Sequence, residues 1–176
     1  MRSQTLRGEV AIVTGGNTNI GLATAQQLAD DGADVAIGYL DPVGSRNAVN
    51  RVRQTGRRAI AIQTDIRESD QAEKLIQQTV RRLGDVTILV CNAAAQVFCE
   101  SLIETTDQEI DEVIDTNLKG TLFCIRAFLA TCRGGPVRSR SIIVISSINA
   151  VLTQPGLGVY GMTKAGSVRT LVEKTV

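Results

Sequence analysis

Residues 9–21, EVAIVTGGNTNIG, have the pattern of a strand, a glycine-rich turn and the start of a helix. A β-branched apolar run ends at Thr14-Gly15-Gly16, and helical spacing of apolar residues begins at Ile20. A glycine-rich turn between a strand and a helix lets the backbone approach a pyrophosphate, whose charge the helix N-terminus meets. A turn with a purely structural purpose is the alternative. Because the stretch opens a chain of alternating strands and helices, nucleotide binding is the favoured interpretation.

The same alternation continues along the whole chain and predicts an α/β fold. Largely apolar strands separated by helices indicate a parallel sheet that is covered on both faces. Right-handed crossovers then make it a doubly wound, Rossmann-like sheet, in a single domain over residues 1–176. Strands are predicted at 9–15, 32–40, 57–66, 85–95 and 141–147, and helices at 20–31, 45–55, 69–83, 107–132 and from about 157–160 to the end.

Composition and charge narrow the class of protein. The 176 residues are 43% hydrophobic and 21% charged, and the net charge of +1 comes without a basic run. This argues against a nucleic acid or an anionic membrane as the main partner. No apolar run approaches membrane-spanning length, and the N-terminus lacks the features of a signal peptide. We therefore expect a cytoplasmic protein.

The chain contains no histidine, and this excludes several chemistries. A Ser-His-Asp or Cys-His mechanism cannot operate without one. The cysteines are four in number and form no C-x-x-C pair, so no metal site is predicted. We expect them to be small, reduced core or surface residues.

The glycine-rich turn resembles the phosphate loop of short-chain dehydrogenases/reductases. It has the pattern T-G-x-x-x-x-x-G, where that family usually has T-G-x-x-x-G-x-G, and Asn19 replaces the second family glycine. Asparagine is the next best residue for a left-handed backbone conformation, so the loop can still form. The resemblance implies an NAD or NADP site that includes Gly15, Asn17, Asn19, Ile20 and Gly21.

Two further segments are similar to cofactor-binding parts of the family. Asp65-Ile66 follows the third strand, where the family's acidic residue meets the adenine ring; a turn or helix-capping aspartate is the alternative. Cys91-Asn92-Ala93-Ala94 stands where the family has N-N-A-G. The resemblance implies that the cofactor contacts Asp65, Ile66, Asn92, Ala93 and Ala94.

Tyr160-x-x-x-Lys164 places two side chains on one face of a helix, either as chemistry or as an ordinary surface pair. Ser147 lies thirteen residues earlier, at the end of the fifth strand, where a doubly wound sheet places its ligand. Ser146 is its neighbour, but the family's spacing favours Ser147. Asn117 matches the family's asparagine in the long helix, although it could be a plain polar helix residue.

The resemblance implies catalytic roles for Asn117, Ser147, Tyr160 and Lys164. Tyr160 would exchange a proton with the hydroxyl or carbonyl of the substrate, and Ser147 would stabilise the charge on that oxygen. The cation of Lys164 would favour the phenolate, and the same residue would hold the nicotinamide ribose. Asn117 would position a water molecule in the proton path.

The second strand bears on the choice between NAD and NADP. An acidic residue at its end would bind the ribose 2′-hydroxyl, but the aligned residue is Gly38. Thr18 and Leu40 occupy the positions where the family often has a basic residue for the 2′-phosphate. The missing acid slightly favours NADP, and we expect shallow discrimination.

The family normally continues beyond the final helix with two more strands. We therefore expect a sheet in the order 3-2-1-4-5 that lacks the family's last two strands and leaves the fifth strand as an exposed edge. Two functions follow: an NAD(P)-dependent oxidoreductase for a secondary alcohol or ketone, or a catalytically weak nucleotide-binding or interaction protein. A homo-oligomer is expected through the long helix and the final helix, where Val168, Leu171 and Val172 can form an apolar stripe.

Overall fold

The fold is a five-stranded parallel sheet with helices on both faces. The structure is a computed structural model that describes residues 5–132 and 139–169. The strand order is β3-β2-β1-β4-β5, and every neighbouring pair is parallel, as the sequence predicts. The strands are β1 (Val10–Thr14), β2 (Asp34–Tyr39), β3 (Ala59–Gln63), β4 (Ile88–Cys91) and β5 (Ser141–Val144).

The helices follow the predicted alternation, with ends that shift by a few residues. They are α1 (Asn19–Asp30), α2 (Ser45–Gln54), α3 (Ser69–Leu83), α4 (Asp107–Ile114), α5 (Thr121–Ala130) and α6 (Gly158–Arg169). A short 3₁₀ helix, Ile148–Ala150, lies between β5 and α6. The part of the final helix predicted beyond residue 169 lies outside the described residues.

The long helical stretch predicted over roughly 107–132 is helical over residues 107–130, but its middle is not a regular α-helix. A π-helical segment, Asp115–Gly120, separates α4 from α5. The wider turn accompanies two close contacts: the buried Asn117 side chain bonds the backbone of Ala95, and Gly120 packs against Ile66. Apolar periodicity in the sequence does not indicate a π-helical segment, which here accompanies contacts with residues distant in the sequence.

Alternate residues of the central strand face two separate apolar clusters. Val10 and Ile12 of β1 belong to the cluster beneath α3 and α5, whereas Ala11 and Val13 belong to the cluster beneath α1 and α2. Both faces of the sheet are therefore covered, as the apolar character of the strands predicts.

The fifth strand forms an edge within the described part of the chain. Its residues alternate between exposed and half-buried, and Ile143 is 44% exposed. Val168 on α6 is exposed, while Leu171 and Val172 of the predicted stripe lie outside the described residues. Among residues 5–132 and 139–169, none of the helices has the length and apolar character needed to span a bilayer.

Candidate active site at the strand carboxyl ends

A single cleft of about 830 Å³ is lined by nearly all of the catalytic and cofactor-binding residues that are predicted from the sequence. It lies at the carboxyl ends of the strands, where a doubly wound sheet binds its ligands. Asn117 is the exception, since it does not line the cleft. The predicted residues that do line it are Gly15, Asn17, Asn19, Ile20, Gly21, Asp65, Ile66, Asn92, Ala93, Ala94, Ser147, Tyr160 and Lys164.

The glycine-rich loop has the backbone that the sequence predicts. Asn19 has φ 46°, and among the described residues it is the sole non-glycine with a positive φ. It is also the first residue of α1, so the N-terminus of that helix opens at the cleft. A Cβ on Gly21 would overlap the carbonyl oxygen of Gly15 and come within 2.6 Å of Asn92 Nδ2. The loop is therefore too tightly packed for a side chain at residue 21.

Asn92 and Thr14 hold the loop against β4. The Thr14 hydroxyl accepts the backbone N–H groups of Asn92 at 3.0 Å and Ala93 at 3.1 Å. Asn92 Nδ2 donates to the carbonyl oxygens of Thr14 at 2.9 Å and Gly15 at 3.1 Å. Asn92 thus shapes the floor of the cleft with both of its amide hydrogens. The sequence predicts a cofactor contact for Asn92 but does not predict the structural role of Thr14. The feature that could have indicated this role is the position of Thr14, a polar residue at the end of a buried strand.

Asn17 also has a scaffolding contact. Its Nδ2 donates to the carbonyl oxygens of Asp41 at 3.0 Å and Val43 at 2.8 Å. These bonds fix the loop after β2, in which Asp41 lines the cleft. The Asp41 carboxylate accepts the backbone N–H of Val43 at 2.8 Å, which closes a tight turn.

Asp65 contacts a partner that the sequence does not predict. Its carboxylate accepts three side-chain hydrogen bonds from Arg67, at 2.9, 3.1 and 2.5 Å, and one from the Arg67 backbone at 3.0 Å. The side-chain hydrogen bonds from Arg67 are the main cause that lowers the pKa of Asp65. Asp65 is thus a turn aspartate that also lines the cleft, and its contact with the adenine stays a prediction. Ile66, beside it, is buried and packs against Gly120.

The two neighbouring serines at the end of β5 differ in their contacts. Ser146 Oγ donates to the carbonyl oxygen of Lys164 at 3.1 Å and so anchors α6 to the sheet. Ser147 Oγ accepts from the backbone N–H of Asn149 at 3.2 Å and from Asn149 Nδ2 at 3.4 Å. Within the described chain the Ser147 hydroxyl donates to no partner, so its hydrogen is available to the cleft.

Tyr160 and Lys164 lie on one face of α6, as their spacing predicts. Lys164 Nζ is 5.6 Å from the centroid of the Tyr160 ring and donates to the carbonyl oxygen of Ile145 at 2.7 Å. Lys164 is only 5% exposed and forms no ion pair with a described residue. Burial lowers the pKa of Lys164 from its ordinary value. A buried ammonium without a counter-ion gains from any anionic neighbour.

Asn117 does not line the cleft, and its side-chain amide is hydrogen-bonded through both Oδ1 and Nδ2. Its Oδ1 accepts the Ala95 N–H at 2.8 Å, and its Nδ2 donates to the Ala95 carbonyl and to Thr163 Oγ1, both at 2.9 Å. Thr163 Oγ1 in turn donates to the Tyr160 carbonyl at 2.8 Å. Because both amide hydrogens are already donated, the amide nitrogen of Asn117 has none left for a water in the cleft.

The cysteines stand apart from this site. Burial raises the pKa of Cys124 to about 12 and raises the pKa of Cys91 as well, so both thiols are protonated at neutral pH. No described cysteine is in a disulfide. Within residues 5–132 and 139–169, no group of three or more acidic or cysteine residues is placed to hold a metal ion.

The family model for short chain dehydrogenases matches residues 9–174, and the chain therefore belongs to the short-chain dehydrogenase family. The chain is 36% identical over 159 residues to the 3-oxoacyl-[acyl-carrier-protein] reductase FabG of Staphylococcus epidermidis; the match covers 90% of this chain and 64% of the relative. It is 39% identical over 162 residues to the hydroxynaphthalene reductase arp2 of Aspergillus fumigatus, with 91% and 57% covered. The chain thus spans about 64% of the length of the FabG relatives that it matches.

Solved structures show the same fold. A short chain dehydrogenase from Mycobacterium smegmatis matches with a TM-score of 0.87 and 28% identity, covering 93% of this chain and 67% of the other. A short chain dehydrogenase/reductase from Burkholderia phymatum in complex with NAD matches with a TM-score of 0.87 at 24% identity, covering 93% and 58%. The second likeness supports the fold alone.

Proposed function

We propose that the protein is an NAD(P)-dependent oxidoreductase that interconverts a secondary alcohol and a ketone. The observation that carries this proposal is one cleft that joins the glycine-rich loop to Ser147, Tyr160 and Lys164. One half of the cleft is formed by the glycine-rich loop, where a nucleotide would bind. The other half contains Tyr160 as the proton donor or acceptor, the hydroxyl of Ser147 and the ammonium of Lys164. The names of the FabG and hydroxynaphthalene reductase relatives, each a reductase, support the same reaction class.

The residues present fit a dinucleotide. Gly21 has no room for a Cβ, Gly15 has a positive φ that favours glycine, and α1 begins beside them, as expected of a turn whose backbone approaches a pyrophosphate. Ile20 is exposed at the same helix start, while Asn92, Ala93 and Ala94 line the middle of the cleft. Asp65 and Ile66 would border the adenine, and Tyr160 and Lys164 the nicotinamide ribose. When bound, the cofactor supplies or accepts the hydride.

Tyr160 would act as the general acid and base, supported by Lys164. The Lys164 ammonium lies 5.6 Å from the centroid of the Tyr160 ring, is buried and forms no ion pair with a described carboxylate. As a phenolate, Tyr160 takes the proton of the substrate hydroxyl; as a phenol, it donates a proton to the ketone oxygen. Ser147 donates its free hydrogen to the same oxygen and stabilises the charge that develops there.

Asn117 would act through its neighbours rather than on the substrate. It joins the Ala95 backbone to Thr163, and Thr163 bonds the carbonyl oxygen of Tyr160. We therefore propose that Asn117 fixes the position of Tyr160 relative to the wall of the cleft.

A catalytically weak nucleotide-binding protein is the second candidate. The glycine-rich loop and the start of α1 support this candidate as well, because they would bind a nucleotide whether or not a substrate is turned over. Titration with NAD(H) and NADP(H), followed by an oxidoreductase assay on a panel of ketones and secondary alcohols, distinguishes the two functions. Turnover supports the oxidoreductase, and cofactor binding without turnover of any panel member supports the second candidate.

Cofactor discrimination is predicted to be shallow, with affinities for NAD and NADP that differ by less than about a hundredfold. Among residues 5–132 and 139–169, Arg67 and Lys164 are the basic residues that line the cleft, and Asp65 already pairs with Arg67. Asp41, in the loop after β2, lines the cleft, and its negative charge would repel the 2′-phosphate of NADP. These charges do not support the slight preference for NADP that is predicted from the lack of an acidic residue at Gly38. We propose that both cofactors bind.

Asp41→Asn tests the charge at this end of the cleft. The variant keeps the oxygen that accepts the Val43 N–H and removes the negative charge. The affinity for NADP should rise about threefold to tenfold relative to that for NAD, as expected for one partly solvated charge. Asp111→Asn, an exposed change on α4 outside the cleft, should leave the ratio unchanged. An unchanged ratio in Asp41→Asn would remove Asp41 from cofactor selection.

We propose that copies of the chain associate through exposed apolar side chains on α5 and α6. Leu122 on α5 and Met162 and Val168 on α6 are about half exposed, at 49%, 55% and 56%. Burying such side chains between copies is favourable at about 25 cal/mol per Å² of apolar area. Sedimentation at micromolar concentration should show a dimer or larger species that Val168→Asp weakens. A single 18.8 kDa species at all concentrations would contradict the oligomer.

A further inference from the structure

We propose that Asn149 is a positioning residue that fixes the Ser147 hydroxyl as a pure hydrogen-bond donor toward the substrate oxygen. The inference rests on the proposed function, because it assigns a purpose to Ser147 only if a substrate oxygen binds beside it. The observation that carries it is the pair of hydrogen bonds that Ser147 Oγ accepts from Asn149.

A serine hydroxyl has one hydrogen to donate and two lone pairs that accept. Ser147 Oγ receives the Asn149 backbone N–H at 3.2 Å and the Asn149 Nδ2 group at 3.4 Å. Both acceptor positions are thus occupied from the protein side. The remaining hydrogen is directed away from these donors, and Ser147 itself lines the cleft. The hydroxyl is therefore set to donate to an oxygen in the cleft.

The orientation of the Asn149 amide is fixed by a second contact. Its Oδ1 accepts the backbone N–H of Gln154 at 3.0 Å, so its NH₂ group is the end that faces Ser147. Asn149 is 7% exposed, which keeps water from competing for either group. A buried amide held at both ends loses little further freedom when a substrate binds.

The same turn supports the start of α6. The Asn149 carbonyl accepts Thr153 Oγ1 at 3.0 Å. A Cβ on Gly161 would come within 2.9 Å of the Asn149 carbonyl oxygen and 2.7 Å of Thr153 Oγ1. The residue next to Tyr160 therefore packs directly on the turn that holds Ser147. Asn149 therefore connects Ser147 to the part of α6 that carries Tyr160, and these are the two residues whose hydroxyl groups are proposed to contact the same substrate oxygen.

Asn149→Asp reverses the hydrogen bond and keeps the shape of the side chain. The carboxylate still accepts the Gln154 N–H, but it offers Ser147 an acceptor in place of a donor. The Ser147 hydrogen then turns toward residue 149 and away from the substrate. We expect kcat to fall at least about tenfold, toward the 10²–10³ range for loss of an oxyanion donor. The dissociation constant of the cofactor should stay near the wild-type value.

A double-mutant cycle with Ser147→Ala separates this role from a general structural one. Asn149→Asp should lower kcat in the wild-type background and have no further effect on kcat in Ser147→Ala. Thr153→Val is the matched control, since it removes a hydrogen bond of the same turn without touching either donor to Ser147; its kcat should stay close to wild type. If Asn149→Asp does not fold, Asn149→Ala removes one donor and should lower kcat by a smaller factor.

The outcomes separate this inference from the proposed function. If the wild-type chain turns over a ketone and Asn149→Asp keeps the wild-type kcat, the role of Asn149 is wrong while the oxidoreductase stands. The role of Asn149 is equally wrong if Asn149→Asp lowers kcat by the same factor in the Ser147→Ala background. A wild-type chain that binds cofactor but turns over no substrate overturns the proposed function, and the role of Asn149 with it.

Discussion

Tyr160→Phe should lower the turnover of a ketone or secondary alcohol by about a thousandfold, within the 10²–10⁴ range of general acid–base catalysis. Phenylalanine keeps the aromatic ring beside Lys164 and removes only the hydroxyl that exchanges a proton with the substrate. The hydroxyl makes no hydrogen bond to a described residue, so the variant should fold normally. Cofactor affinity, measured by titration, should change by no more than about threefold, because the backbone and Lys164 remain in place.

The chain offers a matched control for this change. Tyr39, at the end of β2, is the second of its two tyrosines. Tyr39→Phe removes the same phenolic hydroxyl from a strand residue that lines the same cleft. It should keep most of the turnover, because Tyr39 has no part in the proposed proton transfer. Retention of most activity in Tyr160→Phe would show that Tyr160 is not the acid–base residue.

Gly21→Ala should abolish measurable cofactor binding and lower the free energy of unfolding by about 1–3 kcal/mol, the usual cost of an overpacked site. The new methyl group would overlap the carbonyl oxygen of Gly15 and press on Asn92 Nδ2, whose hydrogen bonds hold the loop to β4. The loop and the start of α1 would have to separate. Titration with both cofactors and thermal unfolding measure the two effects.

Gly158→Ala is the control for Gly21→Ala. It adds the same methyl group at the start of α6, where the new Cβ meets no atom within 4 Å apart from its chain neighbours and its own helix backbone. Both cofactor affinity and stability should therefore match those of the wild type. If Gly21→Ala binds cofactor as well as Gly158→Ala does, the glycine-rich loop is not the pyrophosphate site.

The strand order and the loop could be predicted because their signals are local. Each buried parallel strand is a short apolar run between helices, and the loop between β1 and α1 contains glycines at the points where a side chain cannot fit. The left-handed conformation of Asn19 could also be predicted, because few residue types other than glycine adopt it.

The roles of the polar side chains could not be predicted in the same way. Asn17, Asn92 and Asn117 all bond to backbone groups far away in the sequence, and nothing in the residue type indicates which group. The π-helical segment around Asn117 has the same origin. The pairing of Asp65 with Arg67 is local, but the family pattern at this position indicates a ligand contact instead.

Hydride transfer from the cofactor to the substrate can be followed with a deuterium label. The purified chain is incubated with a ketone and a reduced nicotinamide cofactor that carries deuterium at the hydride position, and the product alcohol is analysed by mass spectrometry. We expect deuterium on the carbinol carbon with the wild type and almost none with Tyr160→Phe. Cofactor that binds to the wild type, together with no deuterium in any alcohol of the panel, would contradict the oxidoreductase and leave a nucleotide-binding protein.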